Sequence, residues 1–305
     1  MEGGICLLER KNDMENLPWM LVNDSAKIAE ARSHIEAATL IGVDTEYDSF
    51  RYFKEKLCLI QVATDSRVYL FDPLAEYDFS FLGCVFKNSG IIKVLHACDN
   101  DVRILNRDYG FVFSSLFDNH RAAELLGSTA LSLPAVLEEY LGEVLPKNKM
   151  IQRSRWDRRP LTEDQLTYAA SDAACLVPLY RAMVPLLRER GLDKEARRLF
   201  DEIAAGRWRD KKLTPGGYRK IEGYEDLDEA ARRRLEALWR WRFEKARATN
   251  RARFLILSDQ NLVNLARRGP RTLEELSSLG LFSDHRFGEY GPELLRVLGE
   301  TGDES

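Results

Sequence analysis

Short apolar runs bounded by turn residues dominate the first part of the chain and predict the strands of a sheet. The runs occupy residues 19–23, 40–43, 57–63, 68–71, 91–96 and 116–119. Thr64-Asp65-Ser66 is a turn between two of them, so residues 57–63 and 68–71 are expected to form a hairpin. Residues 47–56 are polar and aromatic, which is typical of a loop.

Helical patterns separate and follow these runs. Asp24 or Ser25 can cap a helix that extends to about residue 37. Further helices are predicted after residue 99, from 121 and over 132–141. The strongest signal is a capping box formed by Thr162 and Gln165, which opens a helix that must kink or stop near Pro178.

The remainder of the chain has a different character. Residues 147–160 look like a basic loop, and residues 226–299 look helical throughout. An apolar stripe with a charged opposite face is formed by Leu235, Leu238, Trp239, Arg242 and Phe243. Later helices are predicted over 260–267, from the N-cap Thr272, and after Pro292.

Length and composition indicate a soluble globular protein with more than one compact part. The chain has 305 residues, of which 45% are hydrophobic and 31% charged, which suits two domains, or one domain with an appendage. We predict a first domain over 1–205, a basic linker over 206–225 and a helical domain over 226–300. The net charge of −4 does not indicate a nucleic-acid partner, so local charge must be considered instead.

The cysteines and the N-terminus favour a cytoplasmic location. The five cysteines are dispersed and include no C-x-x-C pair, which predicts reduced, mostly buried thiols rather than disulfides or a zinc site. Residues 1–4 do not resemble the start of a signal peptide, and no apolar run approaches the roughly 18 residues of a membrane span.

The stretch Asp44-Thr45-Glu46 ends one of the predicted strands. Carboxylates two residues apart on a strand project from one face. Two like charges at such a short separation repel each other, which is unfavourable unless a cation lies between them. A divalent metal would explain the pair. For the pair alone, a helix cap and a solvated acid would explain it equally well.

Two more acids are expected at the same edge of the sheet. Asp101 lies in the first turn of a helix that follows a strand. If the strands are parallel, this places it at the same edge of the sheet as Asp44. Tyr168 and Asp172 share one helical face, and neighbouring alanines would let that helix approach the sheet. In isolation, a solvated aspartate and a packed tyrosine would be the better interpretation of this pair.

Together the four acids predict a two-metal site. Oxygen-only ligands select hard cations such as Mg²⁺ or Mn²⁺, and four carboxylates exceed what one Mg²⁺ usually takes from a protein. Two cations roughly 4 Å apart suit in-line displacement at phosphorus, one activating water and the other stabilising the leaving oxygen. Tyr168 is placed to orient that water.

These residues form motifs that resemble ribonuclease D, in the tyrosine subgroup of the DEDD superfamily of 3′→5′ exonucleases. The motifs are Val43-Asp44-Thr45-Glu46-Tyr47, His96-Ala97-Cys98-Asp99-Asn100-Asp101 and Tyr168-Ala169-Ala170-Ser171-Asp172, the last preceded by residues 156–162. Their order and flanks agree over roughly residues 20–190. The departures from the family pattern, at Tyr47, Arg155 and residues 173–175, remove no predicted metal ligand.

The resemblance implies an α/β fold, a ribonuclease-H-like mixed sheet flanked by helices. It also implies metal binding by Asp44, Glu46, Asp101 and Asp172, with Tyr168 positioning the water. The implied activity releases nucleoside 5′-monophosphates from RNA 3′ ends, such as those of tRNA precursors, or from single-stranded nucleic acid more broadly.

Three further residues near the motifs could have catalytic, metal-binding or structural roles. His96 could act as a general base, but its place at the end of a buried strand favours a structural role. Asp99 could be mistaken for the metal ligand, although the family spacing favours Asp101. We expect Asp118 to support the site.

Residues 226–300 resemble the HRDC domain, a small all-α bundle appended to ribonuclease D and RecQ helicases. The preceding residues 206–220 are basic and include two aromatic side chains. Such a stretch can contact phosphates and stack on bases, but a solvated linker with a little docking explains it equally well.

Two other functions compete with an exoribonuclease. A 3′→5′ DNA exonuclease would use the same acids, because discrimination of the 2′-hydroxyl depends on other contacts. A non-catalytic nucleic-acid-binding protein is disfavoured because all four acids and the tyrosine are present.

Overall fold

A computed structural model describes residues 17–144 and 148–301; Cys6 and the N-terminal residues considered above lie outside them. Packing divides the chain into two compact units. The first unit contains the described residues up to Asp48 and Lys56–Arg209. The second contains Ser49–Glu55 and the described residues from Asp210 onward. The domain boundaries given above remain a prediction, and the separation of Ser49–Glu55 from its sequence neighbours was not anticipated.

The first unit is built on a mixed six-stranded sheet, as the sequence predicted. Its strands are β1 (Trp19–Val22), β2 (Leu40–Asp48), β3 (Lys56–Ala63), β4 (Val68–Phe71), β5 (Ile92–Leu95) and β6 (Leu116–Asp118), in the order β1-β4-β3-β2-β5-β6. Strand β3 is antiparallel to β2 and β4, which confirms the hairpin. The other neighbours pair in parallel, so β2 and β5 end at the same edge.

Nine helices flank this sheet in the described part of the first unit. They are α1 (Ser25–Ala37), α2 (Phe81–Lys87), α3 (Asp99–Tyr109), α4 (Asn119–Leu125), α5 (Leu133–Leu141), α6 (Lys149–Gln152), α7 (Glu163–Ala174), α8 (Leu176–Glu189) and α9 (Asp193–Ala204). Asp24 caps α1 by accepting from the Lys27 amide at 2.8 Å, and the capping box of Thr162 and Gln165 opens α7 as predicted.

Three of these helices correct the prediction: α2, which was not predicted, α6 and α9. Helix α6 forms a single turn inside the stretch expected to be a loop, capped by Asn148. Helix α9 was missed because most of its positions are charged, although Ala196, Phe200 and Ile203 are buried against the core.

The stretch Glu163–Glu189 is long and apolar enough, by length and composition alone, to cross a membrane. In the structure it is two core helices, α7 and α8, with half of the most apolar window buried inside the protein. The break falls after Ala174 rather than at Pro178, which lies in the first turn of α8. A proline is tolerated there because that amide has no partner within the helix.

The second unit is a helical bundle around its own apolar core. Its helices are a 3₁₀ turn (Gly217–Lys220), α10 (Glu229–Thr249), α11 (Arg253–Ile256), α12 (Asp259–Arg268), α13 (Leu273–Ser278) and α14 (Asp284–Glu300). The prediction that the last helix begins after Pro292 was wrong, because α14 begins at Asp284 and contains that proline. The predicted N-cap Thr272 is confirmed by its bond from the Glu275 amide.

Ser49–Glu55 is fixed to the turn that follows α10. The Phe53 amide donates to the Asn250 carbonyl at 3.4 Å, and the Ala252 amide donates to the Arg51 carbonyl at 2.9 Å. The Phe53 ring is 5% exposed and packs edge-on against Phe243 at 5.2 Å. The loop was predicted, but its packing partner was not.

Candidate metal centre

Strand β2 carries two acids to the edge of the sheet where parallel strands end. Asp44 and Glu46 lie in the last half of this strand, opposite Gln61 and Leu59 of β3. Strand β5 ends at the same edge and is followed by α3, whose first turn contains Asp101. The parallel pairing on which the sequence argument depended is therefore present.

Three of the four predicted acids meet at this edge. Carboxylate oxygens of Asp44, Glu46 and Asp172 all lie within 4.8 Å of one another. Asp172 comes from α7, which packs across β2 and β3. Residues distant in sequence thus place three negative charges within the reach of one cation.

The close approach of α7 depends on small side chains on both surfaces. Ala169 and Ala173 on the helix are fully buried, as the sequence suggested. On the strand, Gly42 faces the helix so closely that a Cβ atom there would lie 2.7 Å from the Ala173 carbonyl oxygen. The role of Gly42 was not recognised from sequence, since a glycine within a strand equally indicates a bulge.

Asp101 lies beside this group of three rather than within it. Its carboxylate accepts a hydrogen bond from the Thr45 hydroxyl, and the side chain is buried. Its negative charge nevertheless raises the pKa of Asp44 and, to a smaller degree, that of Glu46. Thr45, which sequence analysis treated only as a spacer, therefore fixes the fourth acid.

All four carboxyl groups resist ionisation. Burial, followed by the charges of Asp101 and Asp172, raises the pKa of Asp44 well above its ordinary value. Burial and the charge of Asp44 do the same to the pKa of Glu46. Burial also raises the pKa of Asp101 and of Asp172 to about 6 each, against opposing hydrogen bonds from Thr45 and Tyr168.

The hydroxyl of Tyr168 donates a hydrogen bond to the carboxylate of Asp172. Burial and the charges of Asp172 and Glu46 raise the pKa of Tyr168 above its ordinary value. The group is therefore a neutral phenol at neutral pH, suited to orienting a molecule by hydrogen bonding and unsuited to acting as a base. Its ring also packs near the buried Trp156, with centroids 6.3 Å apart.

The donor set fits a divalent cation. Clustered, half-buried carboxylates with raised pKa values are unfavourable as anions, and a cation between them offsets both the partial loss of water and the mutual repulsion. Oxygen donors alone favour hard ions over Zn²⁺ or Cu²⁺. Asp44, Glu46 and Asp172 are the residues that would hold such an ion, with Asp101 adjacent.

Two of the residues considered beside the motifs have partners elsewhere in the protein. His96 shares the Leu131 carbonyl with His120, at 3.0 and 3.2 Å, and burial lowers its pKa to about 4. Asp99 pairs with Arg103 at 3.1 Å, away from the group of three acids.

Asp118 connects two elements near the centre. One carboxylate oxygen accepts from the Cys98 amide and the other from the Arg121 amide, both at 2.9 Å. The buried side chain thereby ties the residue before α3 to the first turn of α4. This geometry connects α3, which carries Asp101, to α4.

Comparison with known proteins gives the same picture. Residues 20–188 match the 3′-5′ exonuclease family model, and residues 231–298 match that of the HRDC domain. The chain is 31% identical to ribonuclease D of Shewanella sp. (strain ANA-3) over 93% of its own length and 73% of that protein.

Two solved structures extend the comparison. The first is Escherichia coli RNase D, described as an exoribonuclease involved in structured RNA processing. The match has a TM-score of 0.71 and 27% identity, and it covers 94% of this chain and 76% of the other. The second is the catalytic core of RRP6 from Trypanosoma brucei, with a TM-score of 0.85, 22% identity and coverages of 94% and 80%. At that identity the second match shows the fold alone.

Proposed function

The chain belongs to the ribonuclease D family and is a 3′-5′ exoribonuclease, and we propose that it releases nucleoside 5′-monophosphates by a two-metal mechanism at Asp44, Glu46, Asp101 and Asp172. RNA is its substrate, and its family generally uses divalent metal ions. The finer statements, that the ions are two and are Mg²⁺ or Mn²⁺, are supported by the four oxygen-donor side chains.

The observation that carries this proposal is the meeting of Asp44, Glu46 and Asp172 within 4.8 Å. Two local motifs, a strand end and a helix face, converge on one point. Their raised pKa values show that the arrangement is unfavourable without a counter-charge. A protein that used the fold only for binding would have no need of this arrangement.

The side chains divide the work of hydrolysis. Divalent cations at these acids would supply charge stabilisation at the phosphate and lower the pKa of an attacking water. Asp172 holds the Tyr168 hydroxyl, and that hydroxyl would orient the water for in-line attack on the terminal phosphodiester. Thr45 holds Asp101 in place, and Gly42 keeps α7 close enough for Asp172 to join the group.

Two extensions belong to the same proposal. We infer that tRNA precursors are among the substrates, supported by the likeness to an enzyme of structured RNA processing. We also assign the protein to the cytoplasm, supported by free thiols at Cys58, Cys84, Cys98 and Cys175.

The direct test uses purified full-length protein with 5′-labelled, 3′-tailed RNA and the matching DNA, in Mg²⁺, Mn²⁺ or a chelator. We expect a ladder that shortens from the 3′ end, nucleoside 5′-monophosphates as products, and no cleavage in the chelator. Preferential shortening of the DNA would contradict the ribonuclease assignment. Cleavage that persists in the chelator would contradict the metal mechanism.

A further inference from the structure

We propose that the second unit holds single-stranded RNA in a groove of its own, with bases stacked on Phe50 and Phe254. The groove has a volume of about 770 Å³ and is lined entirely by residues of this unit. The inference rests on the proposed function, since it assigns where the RNA upstream of the cleaved end is held.

The groove is not the HRDC bundle alone. Its walls include Ser49–Phe53 and residues 211–221, all outside the 231–298 range that matches the HRDC family model. Backbone bonds from Phe53 to Asn250 and from Ala252 to Arg51 hold the first wall in place. The groove is therefore specific to this combination of segments.

Two aromatic rings stand exposed at the rim. Phe50 is 64% exposed and Phe254 is 45% exposed, with ring centroids 4.8 Å apart. Large exposed aromatic side chains next to each other are unfavourable in water unless something covers them. Nucleobases stack on such rings without sequence preference, because every base has a π-face.

The positive charge of the side chains that line the groove favours a negatively charged polymer as its ligand. It contains five cationic residues and one acid, Asp259, although the whole chain carries a net charge of −4. Asp259 is neutralised by Arg242 at 2.7 Å, and Lys211 is held by the Phe53 carbonyl and by Glu55. Lys212, Lys220 and Arg253 are exposed, as is the ion-paired Lys211, whereas Arg242 is buried.

Aromatic rings interleaved with exposed cations fit a nucleic-acid strand better than an apolar peptide. Cations follow a phosphate backbone, and aromatic rings take the splayed bases of a single strand. An apolar partner would leave Lys212, Lys220 and Arg253 without counter-charges. Residues 206–220 are not wholly solvated, because Tyr218 is buried in the second unit.

The test compares full-length variants by binding and by kinetics. Affinity for a fluorescent 12-nucleotide RNA is measured at neutral pH in a chelator, so that the strand stays intact. We expect Phe50→Ala and Phe254→Ala each to weaken binding roughly 10-fold. Lys212→Ala should also lower the slope of log K against log salt by about 0.7, the value for one phosphate contact to a single strand.

Matched controls come from the same unit. Leu273 is 42% exposed and Arg296 is 71% exposed, and neither lines the groove. Leu273→Ala and Arg296→Ala should bind RNA as the wild type does. Thermal melting of every variant checks that the fold is retained, and the mild Lys212→Gln provides a second test if an aromatic variant unfolds.

Kinetics separate this inference from the proposed function. With metal present, the groove variants should raise KM for the 12-nucleotide RNA by a similar factor and leave kcat unchanged. Equal KM and Kd values in the wild type, the groove variants and the controls would overturn the groove, even if the enzyme is active. Failure of the wild type to cleave RNA would instead count against the proposed function, while the binding comparison would still decide on the groove.

Discussion

A Cβ atom on Gly42 would lie 2.7 Å from the carbonyl oxygen of Ala173. Real Cβ atoms essentially never stand so close to another atom, so a larger side chain at this point of β2 must displace the backbone of α7. The residue before Ala173 is Asp172, one of the three acids that meet. The geometry of the metal centre therefore depends on a missing methyl group in the strand.

Gly42→Ala should lower kcat strongly although it adds only one methyl group. Overpacking of this kind costs about 1–3 kcal/mol of stability, and a displacement near 1 Å in a catalytic group can cost about 100-fold in rate. The free energy of unfolding and kcat on RNA provide the measurements. Gly288→Ala is the control, because residue 288 is helical, exposed and without neighbours within 4 Å. It should be neutral or stabilising.

Asp172→Asn should abolish metal-dependent cleavage and leave RNA binding largely intact. The substitution keeps the shape of the side chain but removes one negative donor from the group of three. Asp164→Asn, at an exposed position in the first turn of the same helix, is the matched control and should retain activity. Undiminished turnover by the Asp172 variant would show that the centre is assigned to the wrong residues.

Tyr168→Phe should lower kcat, by about 100-fold if the hydroxyl orients the attacking water. Metal affinity should change little, because the phenol donates a hydrogen bond to Asp172 and is not itself one of the proposed metal ligands. Tyr180→Phe, whose ring packs on Phe117, serves as the control and should keep wild-type kcat. A Tyr168 variant with unchanged kcat would rule out the orienting role.

The metal-free protein should lose stability as the pH rises. The folded pKa of Asp172 is about 6, against an ordinary value of 3.8 for an aspartate, so folding favours the protonated group. Its stabilisation is fully present below pH 3.8 and is lost as the pH rises through 6. For this group alone the loss is roughly 2–3 kcal/mol, at 1.36 kcal/mol for each unit of pKa.

Chemical denaturation in a chelator between pH 4 and 8 measures this effect. Asp172→Asn should make the curve less steep, because the asparagine does not titrate while Asp101 still does. Saturating Mg²⁺ or Mn²⁺ should restore the lost stability above pH 6, since the ion binds only the folded state. A chelated wild type whose stability is constant over this range would contradict the raised pKa values.

The sequence predicted the parts of this molecule that depend on local pattern. Apolar runs located the strands, the capping box located the start of α7, and the acids at the strand end and on the helix face could be joined through the resemblance. It could not predict contacts between residues distant in the chain. Gly42 has no side chain to signal its contact with Ala173, and the bond from Thr45 to Asp101 depends on the spacing between β2 and α3.

Two further features, helix α9 and the start of α14, were hidden by charged residues and by helix-breaking residues respectively. Helix α9 buries Phe200 beneath a mostly charged surface, so its apolar positions did not stand out. Pro292 and the glycine before it suggested a break, yet α14 continues through them, because packing of Tyr290 and Leu294 outweighs local preference. Ser283, the N-cap residue of this helix, makes no side-chain cap hydrogen bond.

Because Ser49–Glu55 belongs to the second unit, a gene segment that encodes only the C-terminal residues does not encode the whole unit. A recombination event that moved only the C-terminal residues to another protein would leave this segment behind. The transferred bundle would lack the Phe53 ring that packs on Phe243, and the donor would keep a phenylalanine without its pocket. In this chain, the C-terminal residues therefore complete their core only with a segment that lies between two strands of the sheet in sequence.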